Sequence, residues 1–381
     1  MSLPANVLVI PLATVLMPAA VLAVGVSYIS YWLAHLPALV AGYCLAVLTG
    51  TIRLIGHWQI ADVRLASTTL ATACVAAIAY GMALILARRR LLLAWLGVVG
   101  LLVAAIWITV AQPRTQWRPG ALEITAIDVG QGDSLLIITP EGKTLLLDSG
   151  GVGGKSHSDL DVGEEVVSPY LWSRGIRRLD AVAISHPHSD HIGGMRSVIA
   201  NFRPQELWYG LDSPSPEFIE LAATARAFRV DFKPRTAGET FEFGGVQIRV
   251  LNPQPGTPAS SPAQDDESMV LRFQFRDTSA LLVGGSHKRT EEIMEGENPA
   301  SNLLKIGHHG SATSSTPEFL QAVSPQFAVV SAGHYNSFHH PRPDVMKRYA
   351  DLQIRTYRTD LAGAVSFYLD GVTVSAQPAP R

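Results

Sequence analysis

Four side chains able to bind a metal, His186, His188, Asp190 and His191, fall within six residues, directly after the apolar run 181–184 and just before Gly193-Gly194. Imidazole and carboxylate are preferred ligands of zinc and its first-row neighbours. Strand residues alternate between faces, but a turn at a strand end can aim several side chains at one point. His186 and His188 can then hold one ion, and Asp190 and His191 a second a few Å away. Two such ions can activate a water and clamp a phosphoryl or acyl oxygen.

Other constellations can complete such a site. His308-His309-Gly310-Ser311 follows the short apolar run 303–306, again at a strand end, and one of the two histidines is expected to be a ligand. Asp128, Gln131 and Asp133 sit in a Gly-rich turn. The two Asp carboxylates can orient a ligand histidine or meet substrate through an ion, or can simply belong to the turn. Asp148 precedes Ser149-Gly150-Gly151, where it either abuts the metal motif or caps a glycine turn. His334, His339 and His340 form a third cluster that can contact a phosphate or scissile group. His57 and His157 stay unassigned.

Positioning these groups requires a layered α/β domain. Residues 122–128 alternate as a strand; 134–139 and 143–147 read as two more, turning at Pro140-Glu141-Gly142. A short buried strand at 181–185 leads into the metal motif. Further strands are predicted at 205–209, 246–251, 269–274, 280–283, 327–331 and 364–368. Helices are predicted at 164–174, 194–202, 216–228, 288–294, 316–323 and 343–352, and 252–261 is a loop. Strands interleaved with single helices place sheet at the centre.

Composition divides the 381 residues into 1–112 and 113–381. Of 30 Lys and Arg and 32 Asp and Glu, five Arg and one Asp precede residue 111, and none lies in the first fifty; the remaining 25 basic and 31 acidic residues leave a formal balance of −6. That part has no basic stripe of the kind that marks strong electrostatic nucleic-acid binding. Cys44 and Cys74 both lie in the apolar part, so the soluble part has no thiolate ligand. Apolar stretches at roughly 5–25, 28–49, 68–87 and 91–111 approach the length of about 20 residues that crosses a bilayer. Pro11 and Pro18 are expected to make the first re-entrant or broken. Arg88-Arg89-Arg90 is a short basic loop and faces the cytoplasm. The fourth span then runs outward and carries the soluble part, with the 50–66 loop, to the extracytoplasmic side. The charge-free hydrophobic start reads as the tail of a larger membrane protein.

Taken together, these residues resemble one family. Asp128-Val-Gly-Gln-Gly-Asp133, Leu147-Asp148-Ser-Gly-Gly151, the His186–His191 cluster with its two glycines, and His308-His309-Gly-Ser are similar to the metallo-β-lactamase-like domain of ComEC-type DNA-internalisation proteins. Thr313 to Pro317, His340-Pro341 and Tyr357 to Val365 extend the resemblance; Asn6 to Pro11 and the arginine turn resemble that family's last membrane spans. The resemblance implies membrane helices followed by a four-layer αββα domain, in a bacterial inner-membrane channel for transforming DNA. It implies one or two divalent ions, zinc or manganese. It also implies an extracytoplasmic (periplasmic) nuclease that degrades the strand not transported. Partners would be single- or double-stranded DNA, the membrane, other competence proteins and a separately encoded upstream channel part. His186, His188, Asp190, His191 and His309, with His308 beside it, would carry the metals. Asp190 and Asp148 would serve catalysis, His340 a leaving-group or phosphate contact, and Asp128, Gln131, Asp133 and Ser311 the surrounding shell.

One departure stands out. The family's Thr-Gly-Asp, whose Asp bridges the two metals, falls in the stretch Ala280 to His287, where Val283-Gly284-Gly285 stands instead, so Gly285 sits where the carboxylate belongs. His287 can compensate, one metal can remain, or the site can be degenerate. Asp265-Asp266-Glu267 can supply an oxygen ligand and equally suit a solvated loop. Besides the nuclease, two other readings stay open: a catalytically silent module that guides DNA, and a membrane-tethered hydrolase of a small ester.

Overall fold

The computed structural model describes residues 2–56, 70–89, 91–110, 115–151, 160–260 and 265–379; His57, His157, Arg90 and residues 57–66 and 112–114 lie outside these. The chain divides into two compact units, Met1–Leu65 and Ala66–Arg381. The first holds helices α1 (Ser2–Ser27) and α2 (Tyr31–Gly56), packed on each other. The expected break in the first stretch is absent: α1 runs through both Pro11 and Pro18. Proline's fixed φ is helical, and each ring removes only one backbone bond, which apolar helices tolerate.

The second unit begins with α3 (Leu70–Ala87) and α4 (Leu91–Val110). None of α3's residues is buried, although it is apolar all round, the pattern of a helix solvated by lipid. Among the described residues three stretches are long and apolar enough to cross a membrane, Val9–Ser27, Tyr31–Leu54 and Leu70–Ala87; α4 offers a shorter one, Leu93–Ile108. These helices suit a membrane protein.

The rest of the second unit is built on two sheets. Strands β1 (Leu122–Ala126), β2 (Leu135–Ile138), β3 (Thr144–Leu147), β4 (Ala181–Ala183), β5 (Glu206–Tyr209), β6 (Asp231–Pro234), β14 (Val365–Leu369) and β15 (Val374–Pro378) form the first, in the order β15-β14-β1-β2-β3-β4-β5-β6. The second contains β7 (Thr240–Phe243), β8 (Val246–Asn252), β9 (Val270–Phe275), β10 (Thr278–Leu282), β11 (Leu303–Lys305), β12 (Phe327–Val330) and β13 (Arg355–Arg358), in the order β13-β12-β11-β10-β9-β8-β7.

Alternation along the strands builds the layers. Leu145 and Leu147 join Phe273 and Leu282 in a core between the sheets, while Leu146 joins a core on the outer face of the first sheet. Helices α5 (Ser168–Ser173), α7 (Met195–Phe202) and α8 (Pro216–Ala227) cover that face; α9 (Lys288–Glu295), α10 (Pro317–Val323) and α11 (Pro343–Asp351) cover the other. Two single turns, α6 (Ser189–Ile192) and α12 (Thr359–Ala362), complete the helices among the described residues. The result is the expected αββα arrangement. The helix read at 164–174 opens with a wide π turn, Gly163–Val167, where the Gly163 backbone lies against that of Gly194.

Strands β3 to β6 run parallel, as do β10 to β13. The chemistry-bearing loops leave the carboxyl ends of these strands: 148–151 after β3, 184–193 after β4, 283–287 after β10, 306–311 after β11 and 331–341 after β12. In an open parallel sheet that edge is where ligand groups converge.

Candidate metal centre

The loop after β4 places His186 deep and buried, then turns into α6, which carries Asp190 and His191. Close approach of backbones makes this possible. Gly151 lies flat against Ser189 and Gly193, and a side chain there would run into the Ser189 carbonyl.

Asp148 is the hub beneath the histidines. Its Oδ1 accepts from the Ser185 backbone N–H (2.7 Å), and its Oδ2 accepts from Ser185 Oγ (2.7 Å) and from His191 Nδ1 (2.8 Å). With its hydrogen committed to Asp148, Ser185 Oγ accepts from His186 Nδ1 at 3.0 Å. Across the site His309 Nδ1 donates to the Ser331 carbonyl at 3.1 Å. The Asp148 carboxylate and the Ser331 carbonyl, which only accept, fix a proton on Nδ1 of His191 and His309 and leave their Nε2 atoms facing inward as the nitrogens a metal would take, while His186 Nδ1 meets both Ser185 Oγ and Ser268 Oγ, the latter at 3.2 Å.

Four overlapping groups of ligand atoms result among the described residues; Asp265 with His287 and His308 is one, Asp133 with Asp148 and His191 another, and two contain the His186–His191 cluster with its partners. Asp190, His191 and His309 offer atoms within 4.8 Å of one another, with Asp190 Oδ2 3.2 Å from His309 Nε2 and 3.9 Å from His191 Nε2. His186 and His188 form the other group with Asp265, whose Oδ1 lies 3.2 Å from His186 Nε2 and 3.1 Å from His188 Nδ1. His186 Nε2 is buried and makes no hydrogen bond despite that proximity. Two acceptors facing one another at such distances leave room for a cation between them.

His287 and His308 stand beside the second group. His287 Nε2 lies 2.6 Å from His308 Nδ1 and 3.5 Å from Asp265 Oδ2. His340 approaches from the loop after β12, its ring centroid 5.8 Å from that of His308 and its Nδ1 buried without a hydrogen bond. Asp133 lies below, within 4.8 Å of ligand atoms of Asp148 and His191, and forms a buried ion pair with Lys305: both its oxygens are 2.8 Å from Nζ. His340 is in no ligand group, and neither are three other candidates from the sequence. Asp128 is exposed and accepts from Gly130 N, Gln131 Oε1 accepts from Gly333 N, and Ser311 Oγ pairs with Thr313 Oγ1. Lys305, Ser185 and Ser331 carry no sequence motif of their own. Only a lysine inside an otherwise apolar strand run hinted at the first.

The electrostatics divide the histidines. Burial, with His191 as a close neighbour, pushes His186 down to about 4, and burial does the same to His308, also to about 4. Burial would lower His191 too, but the Asp148 and Asp190 carboxylates overcome it and raise the ring to about 9. Burial would raise Asp190, yet His191 and His309 hold its carboxyl well below the usual range. Asp133 is likewise held low against its burial by Lys305 and His309. His340 is lowered by burial and then by His309.

Comparison with known proteins matches residues 127–334 to the metallo-β-lactamase superfamily. The chain is 34% identical over 271 residues to Competence protein ComA of Neisseria gonorrhoeae, covering 68% of this chain and 35% of that protein. It is 31% identical over 258 residues to ComE operon protein 3 of Bacillus subtilis, covering 64% of this chain and 33% of that protein. A third relative, Recombination protein 2 of Haemophilus influenzae, is 28% identical over 254 residues, 66% of this chain and 30% of that protein. The chain thus spans about a third of the length of the curated relatives it matches. Among solved structures it is similar to the metallo-β-lactamase fold protein YhfI of Bacillus subtilis, with a TM-score of 0.45 and 13% identity over 65% of this chain and 99% of that one.

Proposed function

The chain belongs to the metallo-β-lactamase superfamily, and on that premise we propose that it serves bacterial DNA uptake, its αββα domain cleaving phosphodiester bonds with the help of divalent cations. The hydrolase fold and candidate His/Asp metal sites are common ground with the superfamily. DNA as substrate is supported by the relatives, one of which is named a competence protein. The observation that carries the metal reading is the facing of His309 Nε2 and Asp190 Oδ2 at 3.2 Å while His309 Nδ1 is tied to Ser331.

In this reading His186 and His188 hold one cation, and Asp190, His191 and His309 the other. Imidazole and carboxylate together suit zinc or manganese. When bound, such cations lower the pKa of a water and neutralise charge on a phosphoryl oxygen. Asp148 keeps the His191 proton on Nδ1, and the Ser331 carbonyl does the same for His309, so both rings present Nε2. Lys305 balances the buried Asp133 charge beneath the site. His340 Nδ1 is placed to hold a proton for the departing oxygen or to contact the phosphate. The acidic balance of the domain gives it little electrostatic grip on DNA of its own, so the cations also supply attraction.

The three apolar helices support a membrane setting, and the arginine turn, with α4 read as a further crossing, supports an extracytoplasmic domain. A reporter fused after Arg381 that is active only outside the cytoplasm is the expected result; a cytoplasmic signal overturns the orientation. The activity is tested by incubating the full chain, purified in detergent, with linear single- and double-stranded DNA in manganese or zinc. Cleavage abolished by a chelator is expected. Metal-loaded protein that cuts neither DNA overturns the nuclease, and cleavage that survives His188→Ala shows that the reaction occurs elsewhere.

A further inference from the structure

We propose that Asp265, from the loop between β8 and β9, is the third ligand of the cation held by His186 and His188, and that position 285 is bare of side chain because this carboxylate fills the space beside it. The inference rests on the metal-centre reading above and adds a residue and a steric constraint to it.

Three observations carry it. First, Asp265 Oδ1 sits within 3.2 Å of His186 Nε2 and 3.1 Å of His188 Nδ1, two rings that come from the other sheet's loops. Second, His186 Nε2 is fully buried and makes no hydrogen bond to that oxygen. The three atoms lie close enough together to be ligands of one ion. Third, a Cβ added to Gly285 would lie 2.8 Å from His186 Cε1, 3.0 Å from His186 Nε2 and 3.0 Å from Asp265 Oδ1. The same small volume therefore touches position 285, the ligand ring and the carboxylate. With the ring and the carboxylate in these places, position 285 has no room for a side chain.

The surroundings hold Asp265 in place. Its second oxygen is 3.5 Å from His287 Nε2, and that ring is hydrogen-bonded to His308. The neighbouring Asp266 accepts from the His287 backbone N–H at 3.0 Å and from Thr290 Oγ1 at 2.7 Å, tying the turn Asp265–Glu267 to the start of α9. Ser268 Oγ accepts from Gly285 N–H at 3.0 Å, which locks the two loops together next to the site. His287 thus positions the carboxylate from behind and stands outside the ligand set of His186 and His188.

Cobalt titration of the full chain in detergent, followed by the visible d–d absorption of the bound ion, reads this without any activity. In Asp265→Asn one Co²⁺ equivalent should weaken by on the order of 100-fold, the scale at which even supporting residues of metal sites act, while the equivalent on Asp190, His191 and His309 stays. Gly285→Ala should weaken the same equivalent by crowding both the His186 ring and the Asp265 carboxylate. Thermal midpoints of the chelator-treated variants check folding, and if Asp265→Asn does not fold, the Asp265→Ser titration decides. Unchanged Co²⁺ affinity in Asp265→Asn or Gly285→Ala overturns the inference and leaves the metal centre standing. A wild-type chain that binds no Co²⁺ overturns both readings.

Discussion

Asp190 Oδ2 and His309 Nε2 lie 3.2 Å apart although 119 residues separate them and they follow strands of different sheets. The His309 ring is turned by Ser331, whose carbonyl can only accept, so Nε2 presents a lone pair to a carboxylate held ionised. Removing either residue should remove one metal equivalent. Asp190→Ala is expected to lower metal-dependent DNA cleavage by at least about 100-fold, with metal content by mass spectrometry falling in parallel. Full metal content in Asp190→Ala would show that the pair is structural.

Asp148 has a positive φ of 59°, a conformation that Asp and Asn tolerate better than other residues. Asp148→Asn therefore tests charge and proton placement with little backbone strain. The amide keeps one acceptor but sets a donor against His191 Nδ1 or Ser185. Metal affinity should fall by about 10- to 100-fold, and the misfit hydrogen bonds should cost about 1–3 kcal/mol of stability. Isothermal titration and thermal unfolding separate the two effects; wild-type affinity in this variant would remove Asp148 from the site's support.

Lys305 and Asp133 are 0% and 1% exposed, so each depends on the other for its charge. Lys305→Met leaves Asp133 buried and unpaired and should cost about 3–5 kcal/mol. Adding Asp133→Asn should recover much of that loss. A thermal midpoint unmoved by Lys305→Met would mean that water or another group already compensates Asp133.

The chelated protein should be most stable near pH 6.5. His186 titrates at about 4 when folded, against an ordinary 6.5. Between these values the folded state binds fewer protons than the unfolded one, so this contribution is present above 6.5 and lost as pH falls toward 4. His191 is raised to about 9, so its contribution is present below 6.5 and lost as pH rises toward 9. Thermal midpoints in a chelator should therefore drop on both sides. A midpoint that climbs steadily from pH 6.5 to 9 contradicts the raised His191.

How far the fold is legible depends on where a strand lies. The interior strands of both sheets carry the apolar runs that mark them in the sequence. The four that pass unread, β6, β7, β13 and β15, are the four sheet edges, and Asp231–Pro234 or Val374–Pro378 bury few side chains. With little buried on either face, an edge strand has no pattern to show. Pro11 and Pro18 mislead for the opposite reason: local chemistry argues for a break where an otherwise apolar, uncharged helix continues.

The sequence by itself determines the layered fold, the apolar helices and the His186–His191 cluster, because each depends on neighbours within a few residues. It also shows that position 285 has no carboxylate. Only the tertiary structure decides what fills that space. Asp265, His186 and Gly285 are brought within van der Waals reach by loops from two sheets, and no local spacing encodes a meeting made by packing. The same holds for Asp133 with Lys305 and for Ser331 with His309, where burial makes a distant partner necessary and the αββα topology supplies it.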